Sequence, residues 1–139
     1  MSVGAQRLRD DADRIRQGAI DKGEDPTVID RALEADARRR ALLSEGDRLK
    51  ADRNTASKAV GEAIRAGASP QGPEVADLRR ASVYAGTRIE TIDHELSAIE
   101  AELADLLLRI PNPADSDVPI GGREANRVEI GRASCRERV

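Results

Sequence analysis

The clearest pattern in the chain lies in its second half. Val75, Leu78, Ser82, Ala85, Ile89, Ile92, Leu96, Ile99, Leu103, Leu106 and Ile110 follow one another at alternating steps of three and four residues. This spacing predicts a coiled-coil helix sustained over about five heptads. A thinner stripe precedes it. Val28, Ala35, Leu42, Leu49, Ala56 and Ala63 recur every seven residues, with Ala32, Gly46 and Val60 at companion positions. Arg39 and Arg53 fall in the companion series too, so this seam is partly polar. No proline interrupts 27–66, and at 1.5 Å per residue that run predicts a rod of about 60 Å.

Between the two stripes, Gly67-Ala68-Ser69-Pro70-Gln71-Gly72-Pro73 holds too many breakers for a helix to cross, so the chain must reverse. Two helices of matched length joined by a tight turn can bury their stripes only by folding back on each other. Upstream, Leu8, Ala12, Ile15 and Ala19 mark a short amphipathic helix that Gly23 stops. Asp25 and Pro26 then stand as the N-cap and first position of the next helix. The expected fold is all-α: helices over about 6–22, 27–66 and 74–110, the last two forming a long antiparallel coiled-coil hairpin. After Ile110-Pro111-Asn112-Pro113 the chain becomes rich in Gly, Pro and Asp and reads as an irregular linker.

Composition agrees with a narrow seam. The 139 residues include no Trp, no Phe and one Tyr, Tyr84, while 35% are charged. Such a chain cannot fill a thick globular core. No stretch approaches a membrane span, and the N-terminus lacks the apolar run of a signal peptide, so a cytoplasmic location is expected. Cys135 and His94 are each the sole residue of their type. An intramolecular disulfide and a cysteine cluster are therefore excluded, and no metal or catalytic residue is assigned. His94, one position off the seam, is expected to be solvated.

Charge changes the picture along the hairpin. From Arg48 to Arg88 the bases Arg48, Lys50, Arg53, Lys58, Arg65, Arg79, Arg80 and Arg88 outnumber the acids Asp52, Glu62, Glu74 and Asp77, a net +4. From Ile89 to Ile110, six acids face Arg109 alone, a net −5. An acidic chain thus carries a basic tip. Cations without aromatics suit phosphate contacts, which position a nucleic acid without reading its bases. Base stacking is nearly excluded, because Tyr84 alone could provide it. A solvated surface of intrahelical ion pairs would give the same charge pattern.

The last ten residues, 130–139, read IGRASCRERV. That peptide is one translation frame of a widely used short-read sequencing adapter, so the native sequence is expected to stop near Ile130. Without those residues the net charge falls from −3 to −5.

Several segments, in order, resemble the N-terminal domain of bacterial seryl-tRNA synthetases. LRDDADRIR (Leu8–Arg16) resembles that family's opening, with Ala12 where proline is usual. DARRRAL (Asp36–Leu42) and LKADRNTASKAVG (Leu49–Gly61) resemble two stretches of its first long helix. Ile110-Pro111-Asn112, then Val118-Pro119-Ile120-Gly121 and Glu124-Ala125-Asn126, resemble its passage into the catalytic domain. Ala114-Asp115-Ser116-Asp117 stands where that family often has a histidine.

The resemblance implies a tRNA-binding arm over 1–112 and a linker over 113–129 into a class II catalytic domain lying beyond this chain, ahead of the adapter-like 130–139. The parent enzyme would be a homodimer that activates serine with ATP and Mg²⁺. Its arm would reach the long variable arm and elbow of tRNA(Ser). By position, Arg48, Lys50, Arg53, Lys58, Arg65, Arg79, Arg80 and Arg88 would meet phosphates, and the present chain would bind tRNA without catalysing anything and without a cofactor of its own. The competing reading is a stand-alone coiled-coil adaptor or chaperone-like hairpin. Its mark would be an apolar tip or an apolar stripe outside the seam, and the sequence pattern shows neither.

Overall fold

The computed structural model describes residues 3–115, 118, 120 and 121; the junction segment Glu124–Asn126 and the tail 130–139, with Cys135, lie outside the described residues. Four helices make up the described residues, without a strand: α1 (Ala5–Asp10), α2 (Ala12–Asp21), α3 (Thr27–Arg65) and α4 (Pro73–Arg109). They divide between two compact units, one formed by the described residues up to 33 together with those from 105 on, and the other by 34–104.

In the first unit the core is Val3, Leu8, Ile15, Ala19, Ile29, Ala32, Leu106 and Ile110, all buried. Arg16 joins α2 to the start of α3 through an ion pair with Asp30 at 2.6 Å. The single helix expected over 6–22 is in fact two. Asp11 (φ −123°, ψ 28°) is non-helical, ending α1 and preceding α2. The break falls just before the position where the resembling family usually carries proline, whose ring disfavours helical geometry in the residue ahead of it. Here Ala12 stands in that place, and the break is present without a proline.

The stop at Gly23 is as expected. Glu24 N–H donates to the Ala19 carbonyl and Gly23 N–H to that of Ile20, both at 2.9 Å, with Gly23 at φ 72°. This is the Schellman arrangement, which needs a left-handed residue at that position. Asp25 then caps α3, its Oδ1 accepting the Thr27 N–H at 2.9 Å and the Thr27 hydroxyl at 2.8 Å. Those two hydrogen bonds, the backbone one first, hold its carboxyl below the usual Asp range.

After α4 the chain returns to α2. Gly18 is buried against Pro113; a Cβ at Gly18 would stand 2.8 Å from Pro113 Cα. Lys22 Nζ donates to the Asn112 carbonyl at 2.6 Å in the same joint. The Ile110-Pro111-Asn112-Pro113 segment is thereby fixed on α2.

The second unit is the antiparallel helical hairpin. On α4 the buried seam residues are Val75, Ala85, Ile89, Ile92, Ile99 and Leu103, with Leu78, Ser82 and Leu96 half-buried between them. The facing stripe of α3 is built from smaller groups, Ala35 and Gly46 buried and Leu42, Leu49, Ala56, Val60 and Ala63 half-buried. Gly46 sits against Ile92, whose Cγ2 would lie 3.6 Å from a Cβ there. Arg39 Nε meets Glu100 Oε1 at 3.1 Å, and Arg88 Nε meets Glu45 Oε1 at 2.9 Å, so the same register is held at two places.

Three details of the seam differ from expectation. Arg53 is exposed rather than inserted. Ile29 is fully buried whereas Val28 is only half-buried, because the start of α3 belongs to the first unit and buries a different face. Asp36 is fully buried, its Oδ2 accepting from Arg40 Nε at 3.1 Å and its Oδ1 lying 3.9 Å from the Arg39 guanidinium.

Candidate nucleic-acid interface

The turn that ends the hairpin is built from the breakers noted above. Ala68 N–H donates to the Ala63 carbonyl at 3.0 Å and Gly67 N–H to that of Ile64 at 3.1 Å, with Gly67 at φ 97°. This closes α3 as α2 was closed. Ser69-Pro70-Gln71-Gly72 then forms a hydrogen-bonded turn, Gly72 N–H to the Ser69 carbonyl at 2.8 Å, and Pro73 opens α4. Proline suits that first position because its missing N–H would have no helical partner there.

The cations lie along the half of the hairpin that ends in this turn. Arg48, Lys50, Arg53, Lys58 and Arg65 are exposed on α3, and Arg79 and Arg80 on α4. Arg48 reaches Asp52 only at 4.0 Å and keeps 85% of its side chain in solvent. Arg79 donates to the Pro70 carbonyl at 3.2 Å, which brings it over the turn itself. Arg80 pairs with Asp77 one turn earlier, a contact exposed on both sides. Surface pairs of this kind are worth little and exchange readily for a better anion.

Arg88 is placed differently. Its guanidinium engages Glu45 through Nε and Nη2, at 2.9 and 3.3 Å, and Glu95 through Nη1 at 3.3 Å. Glu45 holds its pKa above the ordinary arginine value, with Glu95 adding to the effect. Arg88 therefore braces the two helices and has two carboxylates to give up before it can meet a phosphate. The spacing of charges along α4 carries no sign of this, because Glu45 is distant in sequence.

Two further features were not legible in the pattern of charges. Val83 and Tyr84 stand out from α4, 69% and 73% exposed, an apolar pair outside the seam where none was expected. Beside Val83, a shallow groove of about 360 Å³ runs between the helices with Arg53 on its α3 side and Gly86 and Thr87 on its α4 side. Among the described residues no group of His, Cys, Asp and Glu could hold a metal ion, and no helix is long and apolar enough to cross a membrane.

The described residues thus form a paired-helix hairpin of the helical-arm class, with exposed cations along the half that ends in its turn. The chain belongs to the seryl-tRNA synthetase N-terminal domain family, which it matches over residues 5–114. It is 38% identical over 125 residues to a serine–tRNA ligase of a Synechococcus species, covering 90% of this chain and 28% of that protein. It is 41% identical over 123 residues to a serine–tRNA ligase of Thermomicrobium roseum, covering 88% of this chain and 26% of the other. The chain thus spans little more than a quarter of the length of these relatives. The fold also matches that of a cytoplasmic serine–tRNA ligase from Naegleria fowleri, with a TM-score of 0.74, 19% identity, and coverage of 91% of this chain and 34% of that one.

Proposed function

We propose that this chain is the tRNA-binding arm of a serine–tRNA ligase, working through phosphate contacts near the turn of the hairpin. The observation that carries the reading is the separation of charge along a family-defining fold. Exposed Arg48, Lys50, Arg53, Lys58, Arg65, Arg79 and Arg80 lie on the half of the hairpin that ends in the turn and outnumber Asp52, Glu62, Glu74 and Asp77 there, while Glu90, Asp93, Glu95, Glu100, Glu102 and Asp105 of α4 lie farther from it. A field arranged in this way draws the polyanion to the turn and repels it from the remainder of α4. Alanine, glycine, serine and threonine fill much of the surface between the cations. A sugar-phosphate backbone can therefore approach the helices closely.

In the proposed mechanism the arm recognises the shape of a folded RNA, the long variable arm and elbow of tRNA(Ser), rather than its sequence. Arg88 contributes by holding the two helices in register. The whole protein would attach serine to that tRNA with ATP and Mg²⁺ as a cytoplasmic homodimer, using a catalytic domain these residues do not supply. Titration of this chain with a tRNA carrying a long variable arm and with a short-armed tRNA tests the reading. Tighter binding of the long-armed tRNA is expected. Equal affinity for the two would overturn shape recognition, and no binding to either would overturn the arm assignment.

A further inference from the structure

We propose that Tyr84 is a stacking platform for an exposed nucleobase of the bound RNA, with Val83 as its apolar shoulder; this rests on the tRNA-binding reading above. The chain has one aromatic residue, and the fold leaves it outside the core. Tyr84 is 73% exposed and Val83 69%, whereas the other large apolar residues exposed in the hairpin unit, Leu43 and Ile64, are each 38% exposed. No core packing accounts for an apolar pair so far out of the seam.

Its neighbours point to the occupant. Arg80 precedes Tyr84 by one helical turn and is paired only with surface-exposed Asp77. Arg53 lies across the groove that Val83 lines. A flat apolar ring with an exposed cation one turn away on its own helix and another across the neighbouring groove suits a ligand that is itself a flat ring joined to phosphates. A protein partner would have to set acidic residues beside an apolar one, and the groove next to Val83 is shallow and carries Glu90 as well as Arg53. Stacking also needs no hydrogen-bond code, in keeping with an interface otherwise made of phosphate contacts.

The test uses the single tyrosine. Chain labelled with 3-fluorotyrosine gives one ¹⁹F resonance, which is followed during titration with long-variable-arm tRNA, while affinities of Tyr84→Ala and Tyr84→Phe are measured across a salt series. An upfield shift of the resonance is expected. Tyr84→Ala should weaken binding by about 30-fold, the middle of the range for lost stacking. Its dependence on salt should be unchanged, since no phosphate contact is removed, and Tyr84→Phe should bind like the parent. A resonance that stays in place, or a Tyr84→Ala variant binding as tightly as the parent, overturns the stacking role while leaving the arm reading intact. Absence of binding by the parent chain overturns both.

Discussion

Gly18 and Gly46 are both helical glycines, and the surroundings of each decide opposite outcomes for the same substitution. Replacing an interior helical glycine with alanine normally stabilises by about 1 kcal/mol, through the unfolded-state entropy and helix propensity that glycine forfeits. At Gly46 the new methyl would meet Ile92 Cγ2 at 3.6 Å, ordinary van der Waals contact. Gly46→Ala should therefore realise the full gain. At Gly18 the methyl would stand 2.8 Å from Pro113 Cα and 2.9 Å from Pro113 Cβ. Carbon contacts favour about 3.5–4.0 Å, so Pro113 would have to retreat by roughly 1 Å. It has little freedom to do so, being part of Pro111-Asn112-Pro113 with the Asn112 carbonyl held by Lys22.

Overpacking of this kind costs about 1–3 kcal/mol, which exceeds the propensity gain. The expected net effect of Gly18→Ala is a loss of about 1 kcal/mol in the unit that contains it. Because the chain has two compact units, a single global transition is not assumed. Hydrogen exchange of the α2 amides reports the first unit directly, and urea unfolding followed at 222 nm reports the helices together. Protection in α2 should fall in Gly18→Ala, and the urea midpoint should rise in Gly46→Ala. A Gly18→Ala chain stabilised as much as Gly46→Ala would refute the tight joint between α2 and Pro113.

Further outcomes are expected elsewhere. Ile92→Ala, which empties a nearly fully buried seam position of the hairpin, should cost about 2–5 kcal/mol in urea unfolding. The Asp25 cap gives a pH dependence of known sign. Its folded-state pKa is depressed, so its contribution is complete above the unfolded value near 3.9 and is lost as pH falls through the folded value. Asp25→Asn should flatten the acid limb of a stability profile, and an unchanged limb would argue against the cap. Arg88→Met should loosen the α3–α4 register, seen as faster exchange near Glu45, and should weaken RNA binding less than loss of Arg79 and Arg80 does.

Much of the fold was legible because a seam is a periodic property. Every α4 position from Val75 to Ile110 that the three-four spacing selected is buried or half-buried, and the stops at Gly23 and Gly67 both adopt the positive φ that only glycine takes readily. What escaped the pattern depends on direction rather than spacing. A charged residue beside a seam is ordinarily read as solvated, yet Asp36 is buried with Arg39 and Arg40 a turn away. The kink at Asp11 has no glycine or proline to announce it. Arg88 and the exposed Arg80 look alike in sequence, and only the fold shows that one is bound across the hairpin to Glu45. Tyr84 lies off the three-four spacing, and only the fold shows how far it stands in solvent. The cations were placed by simple counting, since charge survives any rotation of a helix.

The central claim is that phosphates of a tRNA lie against the cations near the turn. Its most direct measurement is the affinity for long-variable-arm tRNA between 50 and 200 mM salt, for the parent chain and for Arg79→Glu/Arg80→Glu. Each phosphate neutralised contributes a slope of about −0.9 in log K against log salt on a duplex, so about three contacts predict a loss of roughly 40-fold over that interval. The double variant should bind more weakly, with a slope shallower by about two contacts. Salt-independent binding, or a double variant with the parent's affinity and slope, would contradict the account.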